Sequence, residues 1–557
     1  MARFDYDVVV LGSGMAGSLL GILCRAIGLR VLLVEKGDHP RFSIGESVGG
    51  EVLRRLDFLA RRYDVPLLRN LSSYTRIKRA GLPIATWPKV HGSFIHHELG
   101  KRVDPGHLEE IMAQASTWPL GPDAHLYRPD SDLFLKNQAV EAGATYLPHT
   151  EALSYCFHPE AGASIELRPR GTAPRTVTCR LLVDATGPAR WLAHHLGIDR
   201  VDSAAVPMAS STIFAHFRNA RSWEDVCGGR RLVFPRDHGT LLHVGAIGQF
   251  WVIPFDNGIT SLGWVTGNPL PADGTPEELF WNALHQYPSL ADQFRDAEAV
   301  TRYYRIDRLQ YSTAQVAGDG WFLLPASAEF SDPLYSVGIP LMLAAITRLM
   351  LCLEQVDREK AVLATDLADL ERRFRLESEY IRKYTVATKR CFLDFGLLNR
   401  AINLYRSVIF REGGYIDDSD PGAAYAAAFA VDDPGVRRLI DAFYRCVMDI
   451  DFSVPISEAT RQHFDRVIRS ADVDGFLDSA WGKLRTDAVY VNSIPRMVDY
   501  FWKARHGPLG LGKMGGFRRI SRRWLNSFAD ALPFGKHDAK PLPPGLIRDQ
   551  LRAMVML

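Results

Sequence analysis

The stretch Val8–Gly17 decides the fold and reads Val-Val-Val-Leu-Gly-Ser-Gly-Met-Ala-Gly. Its apolar first half predicts a buried strand, and its second half is a turn too tight for large side chains. Gly12 permits the bend, Gly14 lets backbone N–H groups approach a phosphate, and Gly17 brings the following helix against the strand. We place Ala16 in the same cofactor-binding turn.

The residues after this turn complete a strand, turn, helix and strand unit. A helix is expected from about Met15 to Ala26, with its positive N-terminal end towards the phosphate. A second apolar strand, Val31–Val34, is followed at once by Glu35, whose carboxylate can accept hydrogen bonds from ribose hydroxyls. The unit predicts an adenine dinucleotide site; the alternative is a glycine-rich turn without a ligand. Because it begins so early in the chain, as in many flavoproteins, FAD is favoured over NAD.

Composition is typical of a large globular enzyme. The chain has 557 residues, of which 47% are hydrophobic, enough for two or three domains with a large core. The 66 basic residues nearly balance the 64 acidic ones. This balance gives no overall field to attract nucleic acid or an anionic membrane, so neither partner is expected.

Cysteine usage and apolar runs favour a cytoplasmic protein. The longest apolar candidate, Ile339–Cys352, is interrupted by polar residues and is interpreted as a buried helix. The N-terminal segment Met1–Asp7 carries acidic residues and does not resemble a signal peptide. No Cys-x-x-Cys pair indicates a zinc site or a disulfide framework. The cysteines are Cys24, Cys156, Cys179, Cys227, Cys352, Cys391 and Cys446.

The pattern along the chain predicts an α/β fold. A Rossmann-like, three-layer FAD-binding domain is expected over residues 1–355, with an inserted substrate-side β-sheet at about 85–125 and 200–310. A helical C-terminal domain is expected over 356–557. The predicted strands include Ala163–Leu167, Thr176–Val183, Ser211–Phe217 and Phe250–Pro254; the predicted helices include Leu367–Arg382 and Gly435–Met448.

A second motif follows the dinucleotide unit. The segment Pro-Arg-Phe-Ser-Ile-Gly-Glu-Ser at Pro40–Ser47 resembles the P-R-F-x-x-G-E-S segment of flavin-dependent halogenases. The similarity covers roughly the first 350 residues and looks most like the branch acting on phenols and aromatic polyketides, including tetracycline-type halogenases. Further stretches similar to that family are Leu126–Asp132, Asp184–Gly187, Thr275–Trp281 and Arg308–Ser312.

The resemblance implies further cofactor contacts and a halide site. It assigns Arg41, Ser47, Arg128 and Asp332 to FAD binding. The segment Ser331–Ile339 is similar to the loop that lies against the flavin and binds the halide in halogenases. Successive N–H groups beside a glycine, ahead of an apolar helix, can accept an anion.

In this loop the amides of Val337 and Gly338 are the candidate halide ligands. The alternative is that the loop only contacts the flavin, as in related hydroxylases.

A halogenase also needs a lysine that presents hypohalous acid to the substrate. An ammonium group can donate hydrogen bonds to that oxidant, and partial burial would tune its basicity. The segment Pro88–His96 looks like the family element that carries this residue, which makes Lys89 the candidate. The alternative is that Lys89 is merely an exposed surface lysine. Lys78 is the competitor, but its basic neighbours favour a solvated helix face.

One signature departs from the family pattern. The family's Trp-x-Trp-x-Ile-Pro appears here with Gln249 at the first tryptophan and Trp251 at the second. The resemblance places both residues in the substrate pocket. A polar amide in place of a large ring could alter the path between flavin and substrate, or admit other chemistry.

Three other features are interpreted structurally. His96 and His97 are adjacent on a predicted strand and face opposite ways, so no metal site is expected. The segment Gly507–Lys513 resembles a phosphate loop but lacks the Ser or Thr and the preceding strand. The basic stretch Lys513–Arg523 could dock an acidic carrier protein, although a packed, charged helix face is the simpler interpretation.

Together these features predict an FAD-dependent halogenase. It would chlorinate or brominate an electron-rich phenolic or polyketide-like aromatic, free or tethered to a carrier protein, in secondary-metabolite or antibiotic biosynthesis. Reduced FAD would come from a separate flavin reductase, since we find no second dinucleotide motif. The alternatives are a halogenase-like monooxygenase or oxidase that uses no halide, and a degenerate flavin-binding protein.

Overall fold

A computed structural model describes residues 4–49, 52–114, 122–159, 162–200, 208–228, 235–415, 428–472 and 489–491. The predicted phosphate-loop resemblance at Gly507–Lys513 and the basic stretch Lys513–Arg523 lie outside these residues.

The strands within the described ranges are numbered in chain order. They are β1 Tyr6–Leu11, β2 Val31–Val34, β3 Thr86–Lys89, β4 His91–His97, β5 Glu110–Gln114, β6 Asp123–Leu126, β7 Thr145–Leu147, β8 Thr150–His158, β9 Gly162–Pro169, β10 Arg175–Asp184, β11 Asp199–Arg200, β12 Ser211–Arg218, β13 Gly239–Gly245, β14 Gly248–Pro254, β15 Thr260–Thr266, β16 Glu298–Ala299, β17 Tyr304–Ile306, β18 Ser312–Thr313, β19 Ala317–Gly318, β20 Trp321–Leu323 and β21 Val489–Val491.

The α-helices in the same ranges follow the same convention. They are α1 Met15–Ala26, α2 Val52–Arg62, α3 Pro66–Asn70, α4 Tyr74–Arg79, α5 Arg128–Glu141, α6 Trp191–Leu196, α7 Trp223–Cys227, α8 Pro276–Leu284, α9 Pro288–Gln293, α10 Pro325–Ala328, α11 Gly338–Leu353, α12 Ala364–Arg390, α13 Phe395–Tyr415, α14 Pro434–Met448 and α15 Glu458–Ala471. Short 3₁₀ turns occupy Gly187–Ala189, Cys391–Leu393 and Ala428–Ala430.

The first sheet carries the predicted dinucleotide unit. Its strand order is β19-β20-β10-β1-β2-β7, and β8 and β9 extend it from β10. The central pairs β1 with β2 and β1 with β10 are parallel. All residues of β2 are buried, as a parallel strand covered on both faces requires. The predicted strand Val31–Val34 and helix Met15–Ala26 match β2 and α1.

The second sheet is the inserted one. Its order is β16-β12-β15-β14-β13-β4-β5-β21, with β17 also paired to β12. The side chains of β14 alternate between the two faces of this sheet, and each face has its own hydrophobic core. Phe250 and Val252 pack on the outer face with helices α8 and α9. Trp251 and Ile253 pack on the inner face with helices α12–α14. The two inserted segments therefore build one sheet, and its inner face meets the helical part of the chain.

Two features join the parts of the fold. A small ribbon of β3 and β6 lies beside the inserted sheet, with Lys89 facing Asp123. Strand β21, from the region expected to be helical, pairs in parallel with β5. Helix α11 is buried along most of its length, as expected for the apolar run Ile339–Cys352. Among the described helices, none has both the length and the apolar character needed to cross a membrane.

Candidate active site

The glycine turn after β1 is closed to larger side chains. A Cβ on Gly17 would lie 2.0 Å from the carbonyl oxygen of Gly12, and a Cβ on Gly12 would lie 2.6 Å from that of Ala185. Gly12 also has a φ of +97°, which L-residues rarely adopt. Helix α1 and the end of β10 therefore approach the turn as closely as backbones can, which leaves the first N–H groups of α1 available to a phosphate.

Glu35 stands at the end of β2 beside this turn. Its Oε2 accepts hydrogen bonds from the Ser13 N–H at 2.9 Å and from the Ser13 hydroxyl at 3.0 Å. Its Oε1 accepts one from the Gly37 N–H at 3.1 Å. Burial alone would raise the pKa of this carboxyl, but these bonds and the Arg41 guanidinium hold it below its usual value. Glu35 is thus an ionised acceptor where a ribose is expected.

The two arginines predicted from Pro40–Ser47 and Leu126–Asp132 lie near the same turn. Arg41 has Nη2 3.6 Å from Glu35 Oε2, and its Nη2 would be 3.3 Å from a Cβ on Gly14. Arg128 Nε donates to Asp132 Oδ1 at 2.8 Å, and Arg128 Nη1 donates to the carbonyl of Ile44 at 2.7 Å. Arg128 therefore fixes the second motif against the start of α5, while Arg41 faces the phosphate turn.

The end of that motif contacts the inner face of the inserted sheet. Glu46 Oε1 and His216 Nε2 are 2.7 Å apart and fully buried. Ser47 Oγ lies 3.1 Å from Thr240 Oγ1, which in turn lies 2.9 Å from His125 Nε2. A continuous hydrogen-bonded row therefore leads from the predicted flavin motif to strand β6.

Lys89 ends β3 at the same place. It is 6% exposed and faces Asp123, which is 1% exposed, across the ribbon. Burial lowers the pKa of the Lys89 ammonium to about 8, against the opposing effect of the Asp123 charge. Lys78, the competing candidate, is in the last turn of α4, where its partly exposed side chain forms an ion pair with Asp256. The structure thus places Lys89, and not Lys78, in a buried polar cluster.

The predicted halide loop precedes α11. Val337 caps the helix and Gly338 is its first residue, so the amides of the first turn have no carbonyl of a preceding turn to bond. Asp332, at the start of the loop, is buried and forms an ion pair of 2.6 Å with Lys389 of α12. Lys389 also donates to Ser210 Oγ at 2.9 Å. The carboxylate of Asp332 is thus occupied by protein groups that hold the loop.

The glycine turn and Glu35 form a dinucleotide site, and the match to a known family identifies the dinucleotide. Residues 5–319 match the model of a family described as FAD binding domain. The chain belongs to this FAD-binding family. The assignment confirms the predicted cofactor. The closed glycine turn and the ionised Glu35 are typical of an adenine-dinucleotide site, and Arg41 lies beside them.

Relatives of this FAD-binding protein are named as halogenases. It is 31% identical over 346 residues to tetracycline 7-halogenase of Kitasatospora aureofaciens, covering 60% of each protein. It is 28% identical to a 1H-pyrrole-2-carbonyl-[peptidyl-carrier protein] brominase of Pseudoalteromonas luteoviolacea, covering 61% of this chain and 75% of the relative. The first match spans less than two thirds of that relative's length.

A solved structure gives a longer match. The crystal structure of halogenase PltM in complex with phloroglucinol and FAD superposes with a TM-score of 0.77 and 25% sequence identity, covering 85% of this chain and 97% of PltM. The resemblance to flavin-dependent halogenases and the predicted α/β FAD-binding fold are therefore both confirmed.

The two predicted pocket residues of this FAD-binding protein lie on the inner face of the inserted sheet. The Trp251 indole lies over Gly263, where an added Cβ would be 2.1 Å from the ring, and its Nε1 donates to Ser261 Oγ at 3.1 Å. Its ring is 5.9 Å from that of Phe214, which stacks at 6.0 Å on Phe42 of the second motif. Trp251 therefore belongs to an aromatic wall that reaches the flavin motif.

Gln249 lies two residues before Trp251 on the same face. It is 1% exposed, opposite Val244 and Val265 on the neighbouring strands. Neither Oε1 nor Nε2 of its amide has a hydrogen-bond partner among the residues that the structure describes. A buried amide of this kind is energetically costly, which is a common sign of a functional position.

The adjacent histidines face opposite ways, as predicted. His96 Nδ1 lies 2.5 Å from Glu109 Oε2, and His97 Nε2 lies 2.9 Å from His243 Nδ1 in the outer core. Within the described ranges no group of three potential metal ligands occurs.

Several residues of the candidate site were not predicted from the sequence. Asp123, Thr240 and Lys389 join the candidate site only through partners far away along the chain. The structure shows why Asp123 matters: all four residues of β6 are buried, and a buried acid requires a partner.

Proposed function

We propose that this protein is an FAD-dependent halogenase that chlorinates or brominates an electron-rich phenolic or polyketide-like aromatic ring. The observation that carries the proposal is the position of Lys89. Lys89 is buried at the end of β3, and the paired strand β6 carries His125, the last member of the row Ser47, Thr240 and His125 that begins in the second motif. The named activities of the related halogenases support the same reaction.

Each part of the site has a role in this reaction. The glycine turn and Glu35 bind the dinucleotide, with Arg41 and Arg128 beside them. When bound and reduced, FAD would supply one electron pair to O2; the halide would give up a second pair and become hypohalous acid, and the other oxygen atom would leave as water. The amides of Val337 and Gly338 hold the halide at the start of α11.

Lys89 acts on the oxidant. Its ammonium donates a hydrogen bond to the oxygen of hypohalous acid and directs the halogen to the ring. A carbon–halogen bond forms, the ring loses a proton, and the oxygen leaves as water. The aromatic wall of Phe42, Phe214 and Trp251 keeps bulk water from the path.

The remaining partners follow from the same proposal. Reduced FAD is supplied by a separate flavin reductase, because the sequence contains no second dinucleotide motif. The substrate is free or bound to a carrier protein, as the name of the related pyrrole brominase states for that enzyme. The seven cysteines are all free, which suits the expected cytoplasmic location and its reducing conditions.

The second candidate is a monooxygenase or oxidase of the same fold that uses no halide. Gln249 favours it, because a polar amide stands where the family signature has a tryptophan. Such an enzyme would add oxygen to the substrate, or remove two hydrogens, at a rate independent of bromide.

The test incubates the protein with FAD, a flavin reductase, NADH and bromide, with phloroglucinol as the phenolic probe. Wild type should give a brominated product that is identified by mass spectrometry. Lys89→Met should lose at least about 100-fold in bromination, a typical contribution of positioned acid–base groups, while still binding FAD. Lys78→Met is the matched control and should retain activity, because Lys78 is partly exposed and forms its ion pair with Asp256 instead of Asp123.

Product chemistry separates the candidates. An oxygenated or dehydrogenated product, formed equally without bromide, would establish the second function. Equal bromination by Lys89→Met and wild type would contradict the role of Lys89. Because Lys89→Met leaves Asp123 buried without its cation, the double variant Lys89→Met/Asp123→Asn distinguishes lost chemistry from misfolding.

A further inference from the structure

The carboxylate of Asp123 is the charged group that faces Lys89. The two residues are paired across the antiparallel ribbon of β3 and β6, and both are almost completely buried. Side chains in directly opposite positions of such a ribbon lie about 4.5–5.5 Å apart at Cβ. A buried ammonium is stable only when a counter-charge and hydrogen bonds replace its lost water.

The other titratable groups near Lys89 are histidines. His91 lies on β4 and His125 on β6, and each is fully buried. Burial lowers the pKa of His91 to about 4 and that of His125 well below its usual value. Both rings are therefore neutral at neutral pH, so neither supplies a counter-charge. Arg236 and His238 also act electrostatically on His91. The His238 ring lies against Trp87 of β3, and Arg236 is paired with Glu110 and Glu224.

Asp123 itself responds to the same environment. Burial raises the pKa of its carboxyl to about 7, against the opposing charge of Lys89. The protonation states of the two residues are thus linked, and the charge of each favours the ionised form of the other.

We propose that Asp123 is the positioning residue of the candidate catalytic lysine: it holds the Lys89 ammonium in place and keeps it protonated at neutral pH. This inference rests on the proposed function of Lys89. Neither the family match nor the named relatives assign a role to Asp123. Asp123 also lies outside the sequence motifs that carry the family resemblance.

The variant Asp123→Asn keeps the size of the side chain and removes its charge. Two unit charges about 4 Å apart, at an effective dielectric constant of about 20, attract each other by about 4 kcal/mol. Losing this attraction lowers the pKa of the lysine by about three units. The Lys89 amine would then be largely neutral at pH 7. Halogenation at pH 7 should fall about 100-fold, and the falling limb of the pH–rate profile should move to lower pH by about 2–3 units.

The experiment measures kcat/KM for bromination of phloroglucinol from pH 5.5 to 8.5, with photochemically reduced FAD supplied directly, so that the reductase does not limit the profile. Asp256→Asn is the matched control, because Asp256 accepts a hydrogen bond from the Thr86 N–H at the other end of β3 without facing Lys89. The control should keep the wild-type profile. A uniform loss by Asp123→Asn at every pH, with an unmoved profile, would overturn the proposal.

A second readout does not need catalysis. An unfolded lysine keeps its proton up to about pH 10.4, so lowering the folded pKa of Lys89 makes stability rise with pH over the range in between. The Asp123→Asn protein loaded with FAD should therefore gain Tm relative to wild type as pH increases from 5.5 to 8. A Tm difference between the variant and wild type that stays constant with pH would overturn the role proposed for Asp123. A wild-type protein that brominates nothing would instead refute the proposed function, and the Tm measurement would still test Asp123.

Discussion

Replacing Gln249 with leucine is expected to stabilise the FAD-loaded protein. The Gln249 amide is buried with neither polar atom bonded to a described residue, and the valines opposite it offer apolar contacts. Leaving a buried donor or acceptor unsatisfied costs about 1–3 kcal/mol. Gln249→Leu should thus raise the free energy of unfolding by about 1–3 kcal/mol. About 1 kcal/mol corresponds to roughly 2–4 °C in Tm for domains of 150–250 residues.

The control is the same substitution at another buried glutamine. Gln293 is equally buried and its Oε1 also has no partner among the described residues, but its Nε2 donates to the carbonyl of Arg221 at 3.1 Å. Gln293→Leu should therefore lower Tm, the opposite sign. The assay is thermal and urea unfolding of both variants with FAD bound. If Gln249→Leu were destabilised as much as Gln293→Leu, the Gln249 amide would already have hydrogen-bond partners in the resting protein, and our interpretation of it as a costly buried amide would be wrong.

Two further predictions concern the cofactor. Gly17→Ala should abolish FAD binding in a fluorescence titration, since its Cβ would lie 2.0 Å from a backbone oxygen. Gly21→Ala in the same helix should be tolerated, because its Cβ would meet only side-chain atoms, the end of Leu33 at 3.2 Å and Ala139 Cβ at 3.6 Å. Equal FAD affinity of both variants would contradict the steric reasoning. Lys389→Met removes the cation that pairs with the buried Asp332. The variant should lower the free energy of unfolding by about 3–5 kcal/mol and weaken FAD binding. An unchanged urea midpoint would show that other contacts hold the loop Ser331–Ile339.

Local sequence signals predicted the cofactor half of the molecule well. The apolar strand, the glycine spacing and the terminal acid act over a few tens of residues, so Val31–Val34 and Met15–Ala26 coincide with the observed strand and helix. The strands of the inserted sheet were also found, since Ser211–Phe217 lies within Ser211–Arg218. The roles of individual site residues stay predictions.

What the sequence did not reveal depends on long-range register. Asp123 faces Lys89 only because β3 and β6 pair with that alignment, and a shift of one residue would turn both side chains to the other face. Strand β21 joins the inserted sheet although it belongs to a region expected to be helical, because three residues carry too little periodicity to predict a strand. The ion pair of Lys389 with Asp332 likewise connects a helix and a loop with no shared local pattern.

The ion pair between Lys389 and Asp332 determines the smallest segment that can be exchanged between related proteins in a chimaera. The family match ends at residue 319, yet the loop beginning at Asp332 is anchored by a lysine of helix α12. A chimaera joined at residue 355 would inherit the buried carboxylate from one parent and the position of its cation from another. Recombination of specificities in this family should therefore place the crossover beyond Arg390, so that loop and anchor are inherited together.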